Sequence, residues 1–372
     1  MKSLLRYILF RFHALIAKID FYIGRLQSGT HHFQRALDLN DAARLDLLES
    51  IGPRVDETKA DGFRQSGEIK LMKGQDEAAG QDFAAAIVLS GSFREARALD
   101  RVIAPVVSSD NLIITQVAYN YYPIFDIWYG NMRKLGITNI LLIALDPLTL
   151  ARARAEGIAC WYLPIFGFQK SVRRLIWTQT LKIRRDILNT GVNYLHSDAD
   201  AIWLKDVRES VFRHQTDFVT SRALGTPPSA MEKWGFVMCL GFYYCRSNDK
   251  TRDLYDTYIE YSARLGHDQN GLNQLFLDSA IDWHPLRDDI IHGNIPALDL
   301  TVTVIPETIV ARPVDLLQPL ITSVIHPVLS APNIIGKMCL LQDFGVEMAP
   351  EGAFRFARRS DQSSYPEVTN YK

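Results

Sequence analysis

Residues 194–206 read YLHSDADAIWLKD, a stretch that starts as an apolar strand and ends in charge. Two carboxylates, Asp198 and Asp200, stand one residue apart, and the chain returns at once to Ala201-Ile202-Trp203-Leu204. Residues 193–196 have the pattern of a buried strand, so both aspartates emerge at its carboxyl end. In extended backbone, residues i and i+2 face the same way, which aims both carboxylates into one small volume. Like charges held that close repel unless a cation joins them. A hard divalent ion, Mn²⁺ or Mg²⁺, meets that need through oxygen ligands and would bring a substrate diphosphate with it. A solvated acidic turn is the plain alternative, because Asp-x-Asp recurs by chance. The apolar residues on both sides argue against it.

Working outward, strands and helices alternate. Residues 111–118 read as a strand, 124–135 as a helix, 139–145 as a strand, 148–155 as a helix, 158–163 as a strand and 172–189 as the helix that delivers the chain into the opening stretch. Strands separated by helices of this length predict βαβ units and a mixed, mainly parallel Rossmann-like sheet. Ligands of such sheets sit beyond the carboxyl ends of the strands. Asp198 and Asp200 lie there.

Composition agrees with an ordinary soluble globular protein, long enough for one large domain and a smaller one. Of 372 residues 47% are hydrophobic and 22% charged, and 41 Lys and Arg against 42 Asp and Glu leave a net charge of -1. No overall field draws the chain to nucleic acid, so an anionic partner must be held locally. Cys160, Cys239, Cys245 and Cys339 lack metal-ligand spacing and read as buried reduced thiols of a cytoplasmic protein.

The first hundred residues are helical in pattern. Residues 1–27 are apolar but broken by Arg6, Arg11, His13, Lys18 and Asp20, so they read neither as a membrane span nor as a secretory signal. Arg11, Lys18 and Arg25 repeat at seven on one helical face. Two readings fit: a basic amphipathic helix lying peripherally on the inner face of an anionic membrane, or a first helix packed on its neighbours. Residues 67–89 resemble a tetratricopeptide repeat, with Lys73-Gly74-Gln75 as the turn and 33–51 as a degenerate copy. Such a region could receive a protein partner. The expected domains are a helical cap over 1–105, an α/β domain over 106–350 and a tail over 351–372.

SDADAIWLKD resembles the Asp-x-Asp signature of GT-A glycosyltransferases. Its flanks are most similar to the nucleotide-diphospho-sugar transferase family that includes the plant rhamnogalacturonan xylosyltransferases. The resemblance runs over about 111–346 in four ordered pieces: YGNMRKLGITNILLIALD, IWTQTLKIRRDILNTGVNYLHSDADAIWLKD, LGFYYCRSN and GHDQNGLNQ. It implies a metal-dependent transfer of a sugar from a nucleotide donor, UDP-galactose or UDP-xylose foremost, to a glycan or lipid-linked acceptor in polysaccharide biosynthesis. It also implies retention of anomeric configuration.

Residue by residue, the resemblance gives Asp200 to the metal, Asp198 to metal and ribose, and His326 to the metal as third ligand, with His292 the competitor. Lys182, sixteen residues before Asp198, would meet a donor phosphate or pair with an aspartate. Lys337 and Gly241 would border the donor. Asp146 and the segment Tyr119 to Tyr122, Tyr119 foremost, would line the nucleotide pocket. Asp268 and Gln269 would flank sugar and acceptor, with Gln269 beside the anomeric carbon in a front-face displacement. Ordinary roles stand beside these: an N-cap for Asp268, a solvated helix charge for Lys182, turn or core positions for Asp146 and Tyr119. The family closes its site with a shorter His-to-Gly spacing than His326 to Gly336, and Val237-Met238-Cys239-Leu240 stands where a polar residue is usual. Two other functions fit paired aspartates or the helical cap. One is a phosphoryl or nucleotidyl transferase, and the other a non-catalytic interaction protein with an inactive α/β domain.

Overall fold

The computed structural model describes residues 2–22, 25, 28, 32, 36, 55–89, 99–162, 172–285, 289–312, 322–327, 337, 338 and 341. The chain forms two compact units, Met1–Val102 with Ala144–Phe168 and Ile103–Ile143 with Gln169–Lys372.

Helices fill the beginning of the chain as the periodicity predicts. α1 (Lys2–Tyr22) buries Phe10, Ala14 and Ala17. α2 (Glu57–Met72) and α3 (Asp76–Leu89) form a helix pair about the Lys73-Gly74-Gln75 turn. Gly74 takes φ +71°, a value that strains any side chain. A β-carbon on Gly67 would come 2.8 Å from the Phe83 ring, so the missing side chain sets how closely the two helices approach. Lys70 Nζ and Asp82 Oδ2, 2.6 Å apart, join them. α4 (Leu99–Ile103) follows. The proposed repeat copy at 33–51 lies almost wholly outside the described residues, and Gly336, Cys339 and the 351–372 tail lie outside them.

The alternation read from sequence is then realised as β1 (Asn111–Val117), α5 (Tyr122–Lys134), β2 (Ile140–Ala144), α6 (Pro147–Ala155), β3 (Cys160–Tyr162), α7 (Val172–Asn189) and β4 (Asn193–Ser197). Each end falls within two residues of its expectation. α6 and β3 belong to the first unit, where α6 packs on α3. The second unit continues through β5 (Ile202–Trp203), α8 (Arg208–Phe212), β6 (Phe218–Ala223), α9 (Pro228–Trp234), β7 (Val237–Cys245), α10 (Asp249–Leu265) and α11 (Asp268–Asp278). It ends with β8 (Asp282–Pro285), β9 (Ile291–Ile295), β10 (Leu300–Ile305), β11 (Val310–Ala311) and β12 (Val324–Ile325).

In this unit the large sheet runs β2-β1-β4-β7-β6-β10-β9-β8. β1 and β4 pair in parallel, as do β6 and β10, while β4–β7, β6–β7, β9–β10 and β8–β9 are antiparallel. The sheet is therefore mixed α/β. Parallel pairing holds where a long crossover separates the strands, and short connections such as β8–β9 and β9–β10 return the chain antiparallel. β2 and β7 are buried at every position, as strands covered on both faces must be.

One irregularity bears on function. Along β6 the partner of Thr220 is Tyr243, but the partner of Ser221 is Cys239, so Leu240, Gly241 and Phe242 bulge out of the β6 ladder. On its other edge the same segment keeps its place, with Ser197 opposite Phe242. A second, small sheet orders β11-β12-β5, with β12 antiparallel to β5 in the register Val324↔Trp203 and Ile325↔Ile202.

Candidate active site

The opening stretch ends β4 and turns sharply. Asp198 N donates to Gly241 O at 2.7 Å in the β7 bulge, and Ala201 N donates to Asp198 O at 2.9 Å. Ser197 Oγ accepts from two indoles, Trp128 Nε1 of α5 and Trp203 Nε1 of β5, each at 3.1 Å. Ala199, Ala201, Ile202 and Trp203 are all buried. The turn is enclosed, as its apolar flanks predicted, and its backbone has one course to follow.

The small sheet completes the cluster. His326 directly follows β12, whose pairing with β5 carries it alongside the turn, and His326 N donates to Ala311 O at 2.9 Å. His326 Nε2 lies 3.4 Å from Asp200 Oδ1 and 3.7 Å from Asp198 Oδ2. One ligand atom from each of Asp198, Asp200 and His326 falls within 4.8 Å of the others, a spacing suited to one cation. A β-carbon on Gly241 would overlap the His326 ring and stand 2.6 Å from Asp198 Oδ2. Only glycine leaves room for the ligands to converge. Two carboxylate oxygens and an imidazole fit a hard divalent ion.

Charge is balanced closely around this group. Lys337 Nζ lies 2.6 Å from Asp200 Oδ2, Tyr121 OH donates to the same oxygen at 2.8 Å, and Lys337 Nζ donates to Tyr121 OH at 2.6 Å. Burial alone would raise the Asp200 carboxyl, but Lys337 and His326 hold it well below the usual carboxylate range. Burial and Arg312 push the His326 imidazole down, and Cys239 and Asp200 more than reverse them, leaving it at about 9. Behind it, Cys239 Sγ is 3.7 Å from His326 Nδ1.

A second polar layer lies beneath. Burial and the Arg184 guanidinium push His196 down to about 4. It is therefore neutral near pH 7 and holds Asp198 Oδ1 at 2.9 Å as a neutral Nε2–H donor. Arg184 is fully buried on α7, donates to Gln116 Oε1 at 3.1 Å and stands 3.7 Å from Asp268 Oδ2. Asp268 opens α11, and its Oδ1 accepts from Gln269 N at 2.7 Å. Burial raises its carboxyl. Gln269 spans the crevice wall: Oε1 accepts from Leu240 N at 3.4 Å and Nε2 donates to Thr226 O at 2.8 Å.

The structure thus gathers Asp198, Asp200, His326, Gly241 and Lys337 directly, and joins Asp268 and Gln269 to them through Arg184 and Leu240. His292 sits instead in β9 opposite Thr303, which leaves His326 as the histidine of the cluster. The N-cap of α11 is His267, not Asp268. Asp146 caps α6 in the first unit, taking Thr149 N at 2.9 Å. Tyr119 lies in the short 3₁₀ turn after β1, but the tyrosine that reaches Asp200 is Tyr121. Lys182 is half-buried on α7, where the cation that enters the network is Arg184, two residues on. Sequence reasoning passed over Arg184 and His196, took Tyr121 only as part of the Tyr119 to Tyr122 segment, and read Cys239 only as a buried thiol. Cys160, Cys239 and Cys245 are free and buried as expected.

Residues 135–326 match the family model described as nucleotide-diphospho-sugar transferase. Beta-arabinofuranosyltransferase RAY1 of Arabidopsis thaliana is 24% identical over 184 residues, which cover 44% of this chain and 33% of that protein. The chain thus spans about a third of the length of that curated relative. Among solved structures, the galactosyltransferase LgtC in complex with donor and acceptor sugar analogs aligns at TM-score 0.38 and 13% identity, covering 69% of this chain and 98% of that one. The apo form of the glycosyltransferase GlyE from Streptococcus pneumoniae TIGR4 aligns at TM-score 0.38 and 13% identity, covering 67% and 60%.

Proposed function

The chain belongs to the nucleotide-diphospho-sugar transferase family, and from that premise we propose that it moves a glycosyl group from a nucleoside-diphosphate sugar, a UDP-sugar foremost, to a hydroxyl of a glycan or lipid-linked acceptor. The observation that carries the proposal is the convergence of Asp198, Asp200 and His326 beyond the carboxyl end of β4, where an α/β sheet keeps its crevice. We assign Mn²⁺, or Mg²⁺, to these three side chains. When bound, the ion supplies Lewis-acid neutralisation of the leaving diphosphate.

The chain's own residues do the rest. The Lys337 ammonium, already at Asp200, adds positive charge where phosphate oxygens are drawn, and it stabilises the charge that grows as the glycosyl–oxygen bond breaks. The bonding pair leaves with the diphosphate, the acceptor oxygen bonds to the anomeric carbon, and the acceptor proton passes to the departing phosphate. Asp268 is committed to Gln269 N and faces Arg184, so it is not free to attack as a nucleophile. With the retention that the family resemblance implies, that favours front-face over double displacement, with the Gln269 amide beside the reacting carbon. The free buried thiols Cys160, Cys239 and Cys245 suit a cytoplasmic site of action.

The test is a panel of nucleotide sugars, with UDP-galactose, UDP-xylose and an arabinofuranosyl donor included, assayed for donor hydrolysis with Mn²⁺ and after chelation. Metal-dependent turnover of at least one donor, abolished in Asp200→Asn, is expected. A protein that neither binds nor turns over any nucleotide sugar overturns the reading.

A further inference from the structure

We propose that α1 docks flat on the surface of an anionic lipid bilayer. The helix carries two apolar faces, and the fold uses one. Phe10, Ala14 and Ala17 turn inward and are 7%, 8% and 0% exposed. At about 100° per residue, the opposite side of the cylinder gathers Ile8, Phe12, Leu15, Ile19 and Tyr22 into one stripe along about four turns. These are 53%, 54%, 57%, 49% and 92% exposed. Single exposed hydrophobic residues are common on soluble proteins, but a continuous row of five marks a surface that something covers.

Charge identifies the cover. Arg11 and Lys18, both exposed, fall together along one edge of the stripe. The helix holds four basic residues, Lys2, Arg6, Arg11 and Lys18, against a single acid, Asp20. Asp20 is buried, and its Oδ2 accepts a hydrogen bond from Ser28 Oγ at 2.5 Å. The outward side thus presents apolar and cationic groups and no anion, which is the complement of lipid tails under anionic headgroups. Among the described residues no helix is long and apolar enough to cross a membrane, so the helix would lie in the interface plane.

The test uses the whole chain and flotation with vesicles of phosphatidylcholine, alone or with roughly one third phosphatidylglycerol. Flotation with the anionic vesicles only, weakened by salt, is expected. Phe12→Asp with Leu15→Asp should cut partitioning at least tenfold, and Arg11→Glu with Lys18→Glu should cut it on anionic vesicles by a similar factor. Leu224→Asp, at an equally exposed leucine of the other unit, should leave it unchanged. Should the aspartate variant fail to fold, Phe12→Trp keeps the question open to measurement, through a fluorescence increment that bromine-labelled lipids quench. Docking is independent of catalysis, so turnover of a soluble donor should be the same in all variants. Wild-type chain that stays in solution beside anionic vesicles overturns the proposal, as does a Phe12→Trp increment that the brominated lipids leave unquenched. A dimer in sedimentation velocity that the stripe variant dissolves would overturn it in favour of a second copy of the chain.

Discussion

In the Asp198–Asp200 turn one carboxylate, Asp200, is buried and the other, Asp198, is half-buried beside it, while along α1 apolar side chains are turned out toward solvent. Both depart from the usual partition of residues between core and surface, in opposite senses. The turn can sustain its departure because each charge is answered within the fold: Asp198 by His196, and Asp200 by Lys337, Tyr121 and His326. Nothing among the described contacts answers the outer stripe of α1 in the same way. Where burial of charge is compensated internally, the ligand we propose is small and enters the molecule. Where exposure of apolar surface is not, the partner we propose is extended and lies outside it.

The largest effect should come from removing an internal answer at the reacting centre. Asp200→Asn keeps shape and hydrogen bonding but deletes the charge, and turnover with Mn²⁺ should fall roughly a thousandfold. Steady-state kinetics beside a manganese titration checks this; unaltered metal affinity would mean that the turn holds its charges for structure alone. Next is Arg184→Met, which leaves Asp268 buried without its cation and should cost about 3–5 kcal/mol in urea unfolding. Gly241→Ala should cost about 1–3 kcal/mol, because its methyl group intrudes between His326 and Asp198. It should also weaken metal binding, whereas an alanine tolerated with no loss would show the ligands to be looser than drawn.

The smallest effect is a pH dependence. His326 titrates at about 9, above its ordinary value of 6.5. The stability that its protonated form contributes is therefore present in full below 6.5 and is lost as pH rises through about 9. Metal requires the neutral ring, so Mn²⁺ affinity should rise about tenfold per pH unit from about 7 toward 9, with one proton released per ion. Calorimetry in buffers of different ionisation enthalpy measures that proton. An affinity flat over this range would show either that His326 is already neutral there or that it does not bind the ion, and His326→Ala separates the two.

Local pattern made much of this legible. The strands and helices of 111–197 could be bounded closely because burial imposes periods of about 2 and 3.6 on the side chains, and 172–189 is a helix over that span. Asp198 and Asp200 were legible as a pair at the carboxyl end of β4, although the extended backbone expected to aim them together ends at Ser197, and a turn closed by Ala201 N on Asp198 O brings them to one site instead. His326 could be named but not separated from His292, since only the antiparallel pairing of β12 with β5 brings one of them to the turn. Tyr121 over Tyr119 depends on a 3₁₀ turn, and Arg184 over Lys182 on which face of α7 meets the sheet. Such choices arise between elements far apart in sequence. The antiparallel share of the sheet was hidden for the same reason.

The β7 bulge ties together two things that enzymologists treat as separate. Leu240 N is held by Gln269, and the carbonyl of the next residue, Gly241 O, holds the backbone of Asp198. Thr220 Oγ1 of β6 holds Cys239 O at 2.7 Å, but the residues just beyond it stand outside the β6 backbone ladder and form a short lever, one arm resting on the Gln269 amide proposed to stand beside the reacting carbon and the other on the carboxylate proposed to grip the ion. Whatever nudges the first arm is felt, one residue later, at the second.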